Sequence, residues 1–431
     1  MVVKEAVQPE AVFTPRANRV RSDMYIERPI LEKALLRALR MSKHVVIHGE
    51  SGAGKSWLYK RLFEAEDITY EVINLGRASS AGTILAVVES TLARNGIATR
   101  SGYSEEKKAA VKAFVAEGEL SHSNMFAFPK QDAFEACLKA VRAKAGTKRK
   151  CCLVFDNLEH ILDDPQLIKE LVGLLLLVDD SNYAQYDVKI LLVGTSNDIR
   201  SYITQASNSN TVTNRLMEIP EVARLSDDQA RVLATRGFIE ILGYTIEPHR
   251  EFNLKYYVNE IIYYADLIPQ YLQDICLQIA FRAQENGNVI DFSAFDKGRH
   301  DWVRASLISE LSVVEFNMNS RTTKIGRKNQ VIYALGACKN YDLTSNEIEL
   351  IIRREFPNSC KDVVLNVPQL LSELASSQKP LIRRTPRGDA YRFVDPKLRM
   401  IIRLKMTKIA GEQLYLRPFD DSMSDMNSRP S

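Results

Sequence analysis

Residues 44–57, HVVIHGESGAGKSW, constrain this chain more than any other stretch. Five residues, His44 to His48, mostly β-branched and apolar, run straight into Gly49-Glu50-Ser51-Gly52-Ala53-Gly54-Lys55-Ser56. A helix-periodic segment from Trp57 to Phe63 follows at once. Strand, glycine-rich loop and amphipathic helix in that order predict a phosphate-binding loop. Gly49 and Gly54 allow backbone dihedrals that a Cβ forbids, so successive N–H groups can turn onto phosphate oxygens. The helix that starts near Lys55 adds its positive end to the same spot. In such a loop Lys55 reaches the β- and γ-phosphates, and the Ser56 hydroxyl suits a Mg2+ ligand. The expected ligand is a nucleoside triphosphate; the strand and helix on either side argue against an ordinary glycine-rich turn.

A chain of 431 residues is too long for one ordinary core, so two or three domains are expected. The net charge of +4 is too small to name a partner. The six cysteines (Cys137, Cys151, Cys152, Cys276, Cys338, Cys360) form no CxxC pair and no metal-ligand spacing, which fits a reducing cytoplasm. The amino terminus lacks the basic start and apolar core of a secretion signal. The longest apolar run, Leu171 to Val178, falls far short of the ~20 residues that span a bilayer, so no membrane partner is expected.

The periodicities divide the chain as follows. Residues 1–21 read as a flexible arm and residues 22–224 as the nucleotide domain, with a helical insertion at about 98–149 that has helical patches around Glu105–Glu117 and Asp132–Lys144. Within that domain, strands are expected at Tyr70–Leu75, Lys150–Phe155 and Lys189–Gly194, separated by helical segments, which predicts a parallel sheet of βαβ units. From about Leu225 the strand pattern stops, and Ser226 heads a helix with acidic residues in its first turn. Residues 225–320 are expected to form a helical lid and connector, with further helices at Leu254–Ala265 and Pro269–Glu285. In residues 321–410, three helical patterns precede a hairpin signature at Leu381–Val394, the order of a winged helix. Residues 411–431 read as a tail, loose over Arg417–Ser431. The expected fold class is α/β, a P-loop parallel sheet flanked by helices, followed by an α-helical lid and a C-terminal winged-helix domain.

Three further positions carry candidate chemistry. Cys151–Asp156 ends a buried strand in a carboxylate; beside a phosphate loop Asp156 can hold the Mg2+ shell, and otherwise it caps a helix. Asn197, after the Lys189–Gly194 strand, could orient a water toward the γ-phosphate or serve as a turn residue. Arg215 could stabilise charge on a transferred phosphoryl group across a subunit boundary, or be a solvated arginine at a helix end.

Taken together and in this order, these residues resemble the AAA+ family of ring- or filament-forming ATPases. GESGAGKS matches Walker A, CCLVFDN matches Walker B, LLVGTSN matches sensor 1, and Arg215 matches an arginine finger. Tyr25-Ile26-Glu27-Arg28 is similar to the segment that packs on adenine in the replication-initiator branch, which also carries a helical lid and a winged helix. The resemblance implies ATP with Mg2+, ATP-driven homo-oligomerisation, and a nucleotide between neighbouring subunits. Two departures stand out. Where the family has Glu after the Walker B Asp, this chain has Asn157, and the nearest acid is Glu159. An amide cannot take a proton, so hydrolysis is expected to be slow unless Glu159 substitutes. The lid helix, Asp266-Leu267-Ile268-Pro269-Gln270-Tyr271-Leu272-Gln273, lacks the sensor 2 arginine and looks more like the STAND group of signalling ATPases.

Between Leu381 and Lys405, six Arg and two Lys stand against two Asp. A basic wing with Arg383, Arg384 and Arg387 could lie along a DNA backbone. The helix Val367–Leu374 offers Gln369, Ser372 and Glu373 but no arginine, so any DNA contact is expected to be nonspecific. The leading expectation is an ATP-dependent, self-associating switch that regulates a DNA transaction or an effector partner. The alternative is a signalling or antiviral-defence ATPase whose winged helix docks a protein. A nucleotide-binding scaffold without turnover is a third.

Overall fold

Five strands carry the first half of the molecule: β1 (His44–His48), β2 (Thr69–Asn74), β3 (Cys151–Asp156), β4 (Val188–Gly194) and β5 (Leu216–Glu218). They form one sheet in the order β2-β3-β4-β1-β5, with every pairing parallel. The computed structural model describes residues 7–17, 19–94, 133–195, 199, 203, 210–247, 249, 252–319, 326–385 and 388–417. Two compact units make up the chain, Asn18–Ala223 and Met1–Ala17 with Arg224–Ser431.

Alternation along β3 shows why its sequence is apolar throughout. Cys151, Leu153 and Phe155 enter one core with the helices Ile84–Arg94, Ala133–Ala145 and Pro165–Leu177. Cys152 and Val154 enter the other, with Pro29–Arg40 and Lys55–Ala65. Helices thus cover both faces, and the strand has no solvent side for polar residues. Adjacent cysteines on opposite faces behave as small apolar groups. Burial pushes the thiols of Cys151 and Cys152 up to about 11 and about 12 respectively.

The helix Ala133–Ala145 lies in the region read as an insertion, yet Phe134, Cys137, Leu138 and Val141 belong to the sheet's core. It is a covering helix of the α/β layer. The helix expected at Glu105–Glu117 lies outside the described residues.

In the second unit, Ser226 caps the helix Asp227–Thr235 through a capping box with Gln229. The helices Leu254–Ala265 and Pro269–Glu285 have the bounds that the apolar period gives, and Phe292–Ser306 and Ile308–Asn317 complete the helical run. Further on come Arg327–Ala337, Ser345–Glu355 and Val367–Ser376, then an antiparallel hairpin of Ile382–Arg384 with Tyr391–Phe393. Leu343 adds a single antiparallel bridge to Tyr391 at the edge of this hairpin. The arm expected to be flexible is docked over its described part, and the first residues of the tail pair with the fold. Pro9–Val12 is a short helix, Val12 and Phe13 are fully buried, and Phe13 packs on Phe238 at 4.9 Å. Thr14 N–H donates to Gln273 at 2.8 Å. Leu414–Leu416 pairs with Met406–Lys408, and Glu412 accepts from the Asn358 and Ser359 amides at 2.8 Å each. A few apolar and capping groups, hidden in polar composition, suffice to dock these segments.

The basic residues of the wing also look different in three dimensions. Arg399 and Arg403 point inward onto the carboxylate of Asp266, at 3.2 and 2.9 Å, and Arg224 completes the cluster. Lys405 is buried, Lys397 pairs with Glu310, and Arg392 pairs with Asp342 over the Tyr341 ring. Of the eight basic residues, Arg383 and Arg384 face solvent, and Arg387 lies outside the described residues. Three guanidiniums on one carboxylate would leave net buried charge. That excess is met by main-chain carbonyls at two helix ends: Tyr263 near the end of Leu254–Ala265, and Gly336, Cys338 and Asn340 around the end of Arg327–Ala337. Here the positive charge holds the fold together.

Candidate active site

Gly49, the first residue after β1, has φ +154, and a Cβ there would lie 2.4 Å from the Val222 carbonyl oxygen. Val222 is fixed by its own N–H donating to the His48 carbonyl at 2.8 Å. No side chain therefore fits at Gly49 without moving the backbone. Gly54 takes the left-handed conformation at the N-cap of the helix Lys55–Ala65, so the loop turns directly into the helix with its amides leading. Ala53, within the loop, is fully buried, and Trp57 is half-buried in the first helical turn. Ser51 is exposed, with Glu50 and Gly52 half-buried.

Lys55 Nζ donates to the Gly49 and Glu50 carbonyls at 2.9 and 3.0 Å. Burial lowers its pKa, opposed by the negative charges of Glu159, Asp156, Glu50 and Glu221, Glu159 being the strongest. Ser56 Oγ donates to Asp156 Oδ2 at 3.3 Å, although β4 separates β1 from β3 in the sheet. The carboxyl ends of β1, β3 and β4 therefore converge on one point. Two oxygens, a hydroxyl and a carboxylate, stand beside the loop as a partial shell for a hard cation. Among the described residues no group of three or more ligating side chains could hold a metal by itself. That donor set suits Mg2+, which keeps most of its shell as water and phosphate oxygens rather than entering an all-protein cage.

Asn157 has φ +63, and its side-chain amide donates to Asn74 Oδ1 on β2 at 2.9 Å. It is thus tied to the neighbouring strand. Glu159, on the next turn, accepts the Thr195 N–H at the end of β4, 3.1 Å away. The backbone brings Glu159, Asp156, Ser56 and Lys55 to the same edge. Asn197 lies outside the described residues.

The Tyr25 hydroxyl donates to Glu32 at 2.8 Å, the Arg28 N–H donates to the same oxygen at 2.9 Å, and the Arg28 guanidinium reaches the Ala223 carbonyl at 3.0 Å. Residues 25–28 are thereby joined to the 222–223 segment that backs Gly49. Ile26 is half-buried. Arg215 is elsewhere: its carbonyl accepts from His44 N–H at 2.8 Å, at the edge where β1 and β5 begin, and its side chain pairs with Asp179. That edge is opposite the phosphate loop. The Asn74–Asn157 pair was missed in the sequence, because it depends on β2 lying beside β3.

Residues 39–203 match the family model described as an AAA domain. No curated protein matches the chain. Among solved structures, a Walker-type ATPase of Pyrococcus abyssi matches with a TM-score of 0.51 at 15% identity, covering 91% of this chain and 99% of that one. The likeness at that identity is one of fold. Further matches are the ORC2 protein of Aeropyrum pernix in its ADP form (TM-score 0.48, 13% identity, 92% and 96% covered) and Cdc6p from Pyrobaculum aerophilum (TM-score 0.44, 13% identity, 93% and 97% covered).

Proposed function

We propose that this chain, a P-loop ATPase of the AAA+ family, is an ATP-dependent molecular switch that self-associates and regulates a DNA transaction or an effector partner. The observation that carries the reading is the meeting of Lys55, Ser56 and Asp156 beside a loop whose first glycine admits no side chain. The loop amides and Lys55 bind the β- and γ-phosphates, and Tyr25 and Ile26 flank the base. Ser56 and Asp156 would hold Mg2+, which supplies charge neutralisation on the phosphates when bound. Asn197 would orient the attacking water. Arg215, at the sheet edge away from its own loop, would act on a neighbour's nucleotide.

Glu159 is the carboxylate that would act as general base on the attacking water. Asn157 cannot accept a proton and is occupied with Asn74, whereas Glu159 is held at the end of β4, at the same sheet edge as Asp156. Its place two residues beyond the family's position, with one oxygen committed to Thr195, favours slow turnover and a switch rather than a motor. Glu159→Gln keeps an acceptor for that amide but removes the base. We expect kcat for ATP to fall about 100-fold or more while the Kd of a labelled ATP analogue is unchanged. Unaltered phosphate release would remove Glu159 from the role.

A second reading, in which the winged helix docks a protein, is favoured by the inward turn of Arg399, Arg403 and Lys405. The outer face of the helix Val367–Ser376 offers Gln369 bonded to Glu373, a neutral to acidic surface. Duplex DNA titrated at low and moderate salt separates the two. If DNA is the partner, reversing the charges of Arg383, Arg384 and Arg387 abolishes a salt-sensitive affinity. If a protein is the partner, wild type binds no DNA at either salt.

A further inference from the structure

Tyr59 is a fully buried side chain one turn into the phosphate-loop helix. Its ring is held by Phe63 at 5.5 Å and, edge-on, by Tyr70 at 6.0 Å, and Phe63 and Tyr70 contact each other at 5.2 Å. Packing of this kind fixes both side-chain dihedrals, so the hydroxyl has one place to point. It points at Asp156, with Oη 3.3 Å from Oδ2. Ser56 Oγ contacts that same oxygen, and the Asn157 N–H donates to Oδ1 at 2.9 Å. Ser56 and Tyr59 are three residues apart on one helical face, which lets both reach a single carboxylate oxygen.

We propose that Tyr59 is a positioning residue for the metal-side carboxylate: its hydroxyl, anchored by the aromatic cluster, sets the orientation of Asp156 toward Ser56. The inference rests on the nucleotide reading given above. A carboxylate on a β-strand end can rotate about its last dihedral, and a cation completed by Ser56 needs one of those orientations. With Tyr59 and the Asn157 amide holding one oxygen each, the carboxylate plane is defined before the cation arrives. Partners that orient a metal ligand in this way typically change affinity 10- to 100-fold when removed. Tyr59 touches neither phosphate nor water in this account.

The test is Tyr59→Phe, which removes one oxygen and keeps the ring. A labelled ATP analogue is titrated against the full chain in EDTA and across a Mg2+ series. We expect the EDTA affinity to match wild type, and the Mg2+ concentration giving half of the binding enhancement to rise about tenfold. Tyr70→Phe, which removes a hydroxyl of the same cluster that is not bonded to Asp156, is expected to leave the Mg2+ series unchanged. In an Asp156→Asn background, Tyr59→Phe is expected to have no further effect. A Tyr59→Phe chain with a wild-type Mg2+ series overturns the proposal, as does an equal shift in Tyr70→Phe. Should the phenylalanine chain fail to fold, Tyr59→Met is read in the same titration with the same criteria. A wild-type chain that binds the analogue no better with Mg2+ than with EDTA overturns the nucleotide reading itself, a result distinct from an unshifted Tyr59→Phe series.

Discussion

Asp266→Asn is expected to lower the thermal midpoint of this protein by about 10 °C. Asp266 is buried and is the shared acceptor of Arg224, Arg399 and Arg403. The substitution keeps the size of the side chain and its tolerance of φ +53, so what it removes is the charge. Breaking a buried pair from one side typically costs about 3–5 kcal/mol, because the remaining charges stay desolvated. For a unit of this size each kcal/mol is worth roughly 2–4 °C. The exposed pair Arg353–Glu349 is the contrast: Glu349→Gln there is expected to shift the midpoint by less than 2 °C, with about 0.5 kcal/mol at stake. Burial by itself would raise the Asp266 carboxyl, but Arg403, Arg399 and Arg224 more than reverse this and hold its pKa below the usual value. Its contribution is therefore complete above the unfolded pKa of about 4 and is lost as pH falls through the lowered folded value. Asp266→Asn should flatten that acid limb. A midpoint within 2 °C of wild type at neutral pH would mean that the helix-end carbonyls alone hold the three arginines.

Lys55→Ala is expected to weaken binding of an ATP analogue at least 100-fold and to abolish ATP-dependent self-association. Lys55 Nζ sits on two loop carbonyls beside the glycine that faces Val222, and it brings the positive charge nearest to the site of the phosphates. A charge-assisted hydrogen bond to phosphate contributes about 1.5–3 kcal/mol, and Lys55 can make two. Alanine keeps the helix and the loop glycines, so the fold is expected to persist with an unaltered thermal midpoint. Fluorescence titration of the labelled analogue reads the first effect, and sedimentation with and without ATP reads the second. An unchanged dissociation constant would contradict the role given to this lysine.

The parts of the site that were legible in the sequence are those set by local chemistry. Gly49, Gly54, Lys55 and Ser56 follow one another along eight residues, and a strand ending in Asp156 reads as apolar residues then acid. Ser226 as an N-cap and the helices from Leu254 and Pro269 were legible for the same reason. What escaped needs the third dimension. Tyr59 reads as a core aromatic until β3 is placed where its last carboxylate meets the helix. Asn157 reads as a lost base until Asn74 appears on the adjacent strand. The charges of residues 381–405 look like a surface when counted along the chain. Helical spacing turns Arg399 and Arg403 together onto Asp266, while Arg383 and Arg384 remain outside. A charge count carries no information about the face of a helix on which a residue lies.

The central claim is that residues 49–56 cradle a triphosphate while Ser56 and Asp156 serve its metal. A structure of the full chain with Mg2+ and a non-hydrolysable ATP analogue tests this most directly. The account predicts Lys55 Nζ moved from the Gly49 and Glu50 carbonyls onto phosphate oxygens, with Mg2+ beside Ser56 Oγ and Asp156. An analogue bound elsewhere, or a loop still closed on Lys55 at saturating analogue, would contradict it.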